Sequence, residues 1–492
     1  MKTEKYNITV LNIILGLFII GFTTGCENIL EENPPSEISL VNITEENLDP
    51  LVIGIYEPLT RSRGRIWETQ FIRALTLLEE SSTHTGSGLR FAEYDFINGF
   101  TGYNAGWPTL YNAVGRANLL LSNLTTNDRI SENLKRQAIG EASFVRAIVY
   151  YNLVRAWGSV PMRLEPITDS DNTGQPLEPI DNIYAQIISD LTVAESNLSP
   201  TTSNPGRATS GAAKVALADV YLTRGDFASA RDKAKEVIDN ASTYGYGLVQ
   251  DYPEIFSPTA PTNVEDVFSL KFSQVVGQGN FIPTYFAPAQ PNTLAKNAGI
   301  AARGLATVAA DGDAPLIANW DENDLRKSWN IYNELIVDGE RVIIGSLPAK
   351  AEFLYGKYRD PGAVEETAAG NDIYLYRYAD ALLIFAEAEN QISGPTPAAY
   401  KAVNQIRRRA YGVDQNTADP AVDFPAGLGK SEFDDLVFQE RGYEFMAEGK
   451  RWFDLVRTGK YATIIPAAGK PVPTRFTFIF PDSELQNNPA LK

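Results

Sequence analysis

The chain has 492 residues, 44% of them hydrophobic and 11% aromatic, enough for one large globular core or two to three smaller ones. Its formal charge of −18 sets up a field that repels nucleic acid and anionic headgroups and is compatible with neutral ligands. A single Cys and a single His exclude an intramolecular disulfide, thiolate or imidazole metal clusters and His-based triads. His84, in the polar run "SSTHTGSG", is expected to be solvated.

Lys2 and Lys5 introduce a mostly apolar run from Ile8 to Gly25. That is the order of an export signal, and a membrane-spanning helix would need about 20 apolar residues with suitable flanks. Cys26 follows Gly25 directly, with Thr23 and Thr24 before it. The stretch resembles a bacterial lipobox, in which the signal is cut before the cysteine and the new N-terminal Cys26 carries lipid; Thr23 stands where leucine is usual. A secretory signal with a chance cysteine is the alternative, disfavoured because a chance cysteine could fall anywhere. Glu27, Glu31 and Glu32 resemble the surface-export signal of Bacteroidetes lipoproteins. Residues 1–25 carry two lysines and one glutamate, so the remaining side chains sum to −19. No later apolar run is long enough to span a bilayer.

Further along, periodicity predicts helices. Phe144, Ala147, Ile148, Tyr151 and Val154 form one apolar stripe, ended by Gly158 and Pro161. Ile183, Ile187, Leu191 and Ala194 form a second, followed by the Pro/Ser/Thr loop "SPTTSNPGRATS". In "GAAKVALADVYLTRGDFASARDKAKEVIDN", Ala218, Tyr221, Ala230 and Ala234 have the spacing of a tetratricopeptide-like helical pair, with Gly225-Asp226 as its turn. Looser pairs are expected at 376–412 and 432–461. From Tyr244 to about Asp360 the chain is rich in Gly, Pro, Asn and aromatics, with one strand expected at "VFSLKFS". A long irregular stretch inside a compact protein is usually functional.

Taken in order, "CENILEENPPS", "WPTLYNAVGRANLLLSNL", "GEASFVRAIVYYNLVRAWGSVP", "RYADALLIFAEAEN", "VNQIRRRAYG", "QERGYEFMAEGKRWFDLVRTGK" and "PDSELQNNPAL" resemble the SusD/RagB family of outer-membrane nutrient-binding lipoproteins. The resemblance implies a mainly α fold, a tetratricopeptide-like scaffold supporting a loop-rich ligand-binding part. It implies 1–25 as signal peptide, 26–240 as an N-terminal helical part, 241–360 as the loop-rich insertion and 361–492 as a C-terminal helical part. It further implies an oligosaccharide ligand, a SusC-type TonB-dependent transporter as partner, a lipid anchor in the outer membrane facing the cell exterior, and no cofactor. Peptide capture on the helical repeats is the second reading, and a surface glycoside hydrolase the third.

Three motifs invite chemistry. Glu440, Glu444 and Glu448 step by four along one expected helix, near Arg441, Arg451, Asp454 and Arg457. Carboxylates one turn apart cannot flank a sugar from opposite faces, so an ion-pair lattice is expected there and no residue is assigned as catalytic. Consecutive Arg407, Arg408 and Arg409 point in different directions and are expected to pair locally. "GSGLRF" lacks the Lys and spacing of a phosphate loop.

Aromatics in loops are better candidates, because a sugar offers an apolar C–H face and a rim of hydroxyls. Trp67, Arg90, Tyr94, Asn98 and Tyr103 precede the "WPTLYNAV" helix; Tyr285, Trp320 and Trp329 lie in the middle region with Phe286. Phe286 aside, these eight are the candidate ligand-binding residues. Trp107 and Tyr111, on helical spacing, are expected in the core.

Overall fold

A computed structural model describes residues 43–60, 66–84, 89–97, 106–166, 174–260, 262–291, 293–347 and 351–491. Cys26 and the acidic residues after it lie outside this set. Helices α1 (Glu45–Thr60) and α2 (Trp107–Thr125) pack on α3 (Glu132–Trp157), the central element. The predicted stripe of α3 is buried, but so are Val145, Val149, Tyr150 and Leu153, so from Gly140 onward this helix is enclosed on every side rather than on one. A helix buried all round must satisfy its polar side chains internally. Arg146 donates to Asp190 (2.7 Å) and Asn118 (2.8 Å), and Glu141 accepts from Arg207 at 2.7 Å.

Helix α4 (Ile180–Asn197) turns Ile183, Ile187, Leu191 and Ala194 inward against α3, as its periodicity requires. Thr209 caps α5 (Ser210–Arg224) by accepting from the Ala212 amide at 3.1 Å. Gly225 closes that helix at φ 75°, a left-handed position where a Cβ is costly. Asp226 then caps α6 (Phe227–Asp239), whose Ala230 and Ala234 let it lie close to its neighbours. α6 packs on α5 and on α7 (Tyr378–Ser393), which pairs with α8 (Pro397–Ala410) and α9 (Lys430–Glu444). The architecture is mainly helical and tetratricopeptide-like.

The expected strand is present but shorter. β1 (Asp266–Leu270) stops before Phe272 and pairs antiparallel with β4 (Ile373–Arg377), with irregular register about Phe268. Ser269, placed on the outward face by alternation, is buried. Between β1 and β4 the chain makes short helices and the hairpin β2 (Glu334–Val337) to β3 (Glu340–Ile343). Asp338 and Gly339 close that hairpin at φ 52° and 85°, the double positive turn that matches strand twist. This part has a small core of its own, including Ala287, Ile300, Tyr332, Leu335 and Leu354. It is tied to the helices where Ser82–Thr83 pairs with Ala309–Ala310. His84, next to that pairing, is buried and not solvated as its polar neighbours in sequence suggest.

Candidate functional site

The acidic motif is sealed inside the scaffold. Glu444 accepts from Arg326 (3.0 Å), Arg377 (2.7 Å) and Arg409 (2.7 Å). Glu448 accepts from Arg377 (2.7 Å) and Lys357 (2.8 Å), while Arg326 also meets Asp324 and Glu440, each at 2.7 Å. Glu265 completes the cluster beside Arg377 and Arg409. Burial alone would raise the Glu444 carboxyl, but Arg409, Arg377 and Arg326 hold it well below the usual range. The same balance, through Arg377 and Lys357, lowers Glu448 to about 2. The three glutamates do not share one helix, because α9 ends at Glu444. The chain then passes through Ala447 (φ 59°) and Gly449 (φ 73°), and this turn returns Glu448 to the cluster. Guanidinium and ammonium groups hold Glu444 and Glu448 ionised, whereas burial raises Glu265 and Glu440 in spite of their arginine partners; all four are sealed from solvent and out of reach of a sugar. Arg408 pairs with Asp423 at 2.6 Å and Arg409 with Glu444, so the arginine run is likewise spent locally.

The candidate aromatics are not gathered into one platform. Trp67, Tyr94, Tyr285 and Trp320 are buried, so their rings fill the interior rather than present an open face. Trp67 sits on a π-helical segment, Ile66–Arg73, not in a loop. It lines a cavity of about 60 Å³ with Arg155, Asp219 and Lys450, far below the roughly 300–1,000 Å³ of ligand pockets. Tyr94 stacks on Trp452 with centroids 5.6 Å apart and forms the back of an open groove of about 450 Å³ with Phe96, Ile97 and Pro471. Trp320 stacks on Tyr443 of α9 at 4.4 Å. Asn98 and Tyr103 lie outside the described residues, and of Arg90 only the backbone, in the short helix Leu89–Ala92, is described. Trp107 and Tyr111 pack together at 5.1 Å as expected.

The structure does bring the two predicted regions into contact. The Arg73 guanidinium lies 4.8 Å from the Tyr285 ring centroid, and Ser82 is bridged to Ala310. Within the loop-rich part, Trp329 is the candidate ring left half-exposed, at the end of the short helix Leu325–Asn330. Arg359 lies over it at 4.5 Å and over Tyr332 at 5.4 Å. Nothing local in the sequence singles out Arg359, which an aspartate, Asp360, follows directly. A further aromatic surface is a groove of about 430 Å³ holding the stacked rings of Tyr244 and Tyr246 with Thr202 and Asn263.

Residues 349–488 match the family described as the SusD family, and residues 28–222 match the one described as starch-binding associating with outer membrane. The chain belongs to the SusD/RagB family. A SusD-like protein of Formosa agariphila is 26% identical over 98% of this chain and 97% of its own length. Among solved structures, a SusD homolog from Bacteroides thetaiotaomicron superposes with a TM-score of 0.78 at 22% identity, covering 93% of this chain and 98% of its own. A laminarin-binding SusD-like protein superposes with a TM-score of 0.75 at 23% identity, covering 91% and 98%. At such identities the property shared with these structures is the fold.

Proposed function

We propose that this chain captures oligosaccharide outside the outer membrane, tethered through lipid on Cys26, and passes it uncleaved to a SusC-type TonB-dependent transporter. The reading rests on one observation above the others: the loop-rich segment 241–360 keeps Trp329 half-exposed beside polar groups, while the carboxylates that could have served hydrolysis are neutralised in the scaffold. A flat indole with donors at its edge suits the C–H face and hydroxyl rim of a pyranose. The family description and the laminarin-binding relative support the same class of ligand. Tyr285 belongs to this proposal through its contact with Arg73. Arg90, Asn98 and Tyr103 belong to it because their segment follows the strand paired with Ala309–Ala310.

A glycan and peptide array probed with the purified lipoprotein tests the ligand class: glycans should be retained and peptides not. The anchor has its own test. Cys26→Ala should move the protein from the detergent phase to the aqueous phase, because acyl chains supply membrane affinity at about 0.8 kcal/mol per buried CH₂. A variant that stays with membranes would mean another anchor.

A further inference from the structure

Around α9 the buried cations Arg326, Arg377, Arg409 and Lys357 each meet at least one carboxylate. Arg359 meets none. Among the described residues its guanidinium makes no hydrogen bond and no ion pair, although it is half-buried. Its neighbour Asp360 is turned away, with its carboxylate accepting from Gln274 (2.6 Å), the Gly362 amide (2.9 Å) and the Gly370 amide (2.7 Å). The rings of Trp329 and Tyr332 attract the cation through their π faces but give its N–H donors no acceptor. Among the described residues two more donors in the same place, both buried, lack partners: the Trp329 indole Nε1–H and the Tyr332 hydroxyl. Burial lowers the Arg359 pKa with only Tyr332 opposing it, as expected where no carboxylate is near.

The backbone is shaped to hold this arrangement. A Cβ on Gly356 would stand 2.4 Å from Arg359 Nη2 and 2.6 Å from the Trp329 carbonyl, so only glycine leaves room for the guanidinium there. The Gly356 amide donates to the Asn330 carbonyl at 2.8 Å, which fixes the turn against the helix that carries Trp329. An unpaired guanidinium beside a half-exposed indole, in a chain of net charge −18, is complementary to one anionic substituent rather than to a polyanion.

We infer that Arg359, with Trp329 and Tyr332, receives an anionic group carried on the captured sugar, a uronate carboxylate or a sulfate ester. This rests on the oligosaccharide reading above and narrows it. The indole stacks on the pyranose face while the guanidinium edge takes two oxygens of the anion, a bidentate geometry that a hydroxyl cannot match. Neutral glycans would leave the donors of Arg359 without an acceptor and bind more weakly.

The test uses the detergent-solubilised lipoprotein and an array of neutral, uronate-bearing and sulfated oligosaccharides. Hits are then titrated by calorimetry in matched pairs: each uronate oligomer against its carboxyl-reduced form, each sulfated oligomer against its desulfated form. One charged member should bind at least tenfold more tightly than its neutral counterpart, and which pair does so identifies carboxylate or sulfate. Arg359→Met should abolish that preference with an unchanged melting temperature. Arg359→Lys should keep only part of it, and decides the matter if the methionine variant does not fold. Equal binding of charged and neutral members, or a full preference surviving either substitution, overturns the inference. Retention of neutral glycans alone would overturn it while leaving oligosaccharide capture standing. A folded protein that retains no glycan would sink both.

Discussion

The two regions of this molecule handle buried charge in opposite ways. In the helical scaffold, Arg326, Arg377, Arg409 and Lys357 are locked to Asp324, Glu265, Glu440, Glu444 and Glu448 with no solvent between them. In the loop-rich part, Arg359 lies over the rings of Trp329 and Tyr332 and, among the described residues, meets no carboxylate. A dense group of acids and bases is therefore not by itself a mark of chemistry. In the scaffold the charges answer one another and hold α7, α8 and α9 together. In the loop-rich part the unanswered groups are the ones a ligand could answer.

The largest expected effect breaks the scaffold half of that contrast. Glu444→Ala takes one carboxylate partner from each of three buried guanidinium groups, and removing one partner of a buried pair costs on the order of 3–5 kcal/mol. Denaturant unfolding should show that loss, or the variant should fail to accumulate. A stable variant with an unchanged midpoint and no ligand binding would instead return the glutamates to the functional site.

Glu79 sharpens the contrast from within the scaffold. Glu80 beside it pairs with Arg451, but among the described residues the Glu79 carboxylate accepts only from the Ala447 amide, at 3.3 Å. Burial, with Glu80 adding to it, raises its pKa to about 8 from 4.5. Between those values the unfolded chain has lost a proton that the folded chain keeps, so stability falls as pH rises from about 4.5 to about 8. Glu448, lowered to about 2, acts with the other sign: its contribution is present above about 4.5 and fades as pH falls toward 2. Glu79→Gln should flatten the alkaline decline in melting temperature by an amount worth a few kcal/mol at pH 8. Parallel curves for the variant and the parent would show that Glu79 ionises normally.

The smallest effect lies in the loop-rich half. Trp329→Ala should weaken glycan binding about tenfold, a loss of about 1.4 kcal/mol, while leaving the unfolding midpoint near that of the parent. If Trp320→Ala instead weakens binding without lowering stability, the ring stacked on Tyr443 is not the structural one its burial indicates.

What the sequence reveals follows the range of the interactions. The inward face of α4 and the Gly225-Asp226 turn are legible because periodicity and φ > 0 are properties of a few consecutive residues. The Asp338-Gly339 hairpin carries an equally local signal. The enclosure of α3 does not show, since Arg146 and Glu141 look like solvent-facing positions until Asp190 and Arg207 arrive to meet them. The candidate aromatics fail for the same reason. Whether Trp320 faces water depends on Tyr443, and whether Tyr94 does depends on Trp452. Arg359 is hidden most deeply, because its character lies in contacts it lacks, and those can be known only once the whole fold is assembled.

The most direct test is to incubate the purified protein with a broad glycan array and with the same glycans in solution, following retention and chain length together. Oligosaccharide capture predicts that at least one glycan is retained and recovered at its original length, with retention reduced about tenfold by Trp329→Ala. A folded protein that retains none of them, or one that steadily releases shortened sugars, would contradict it.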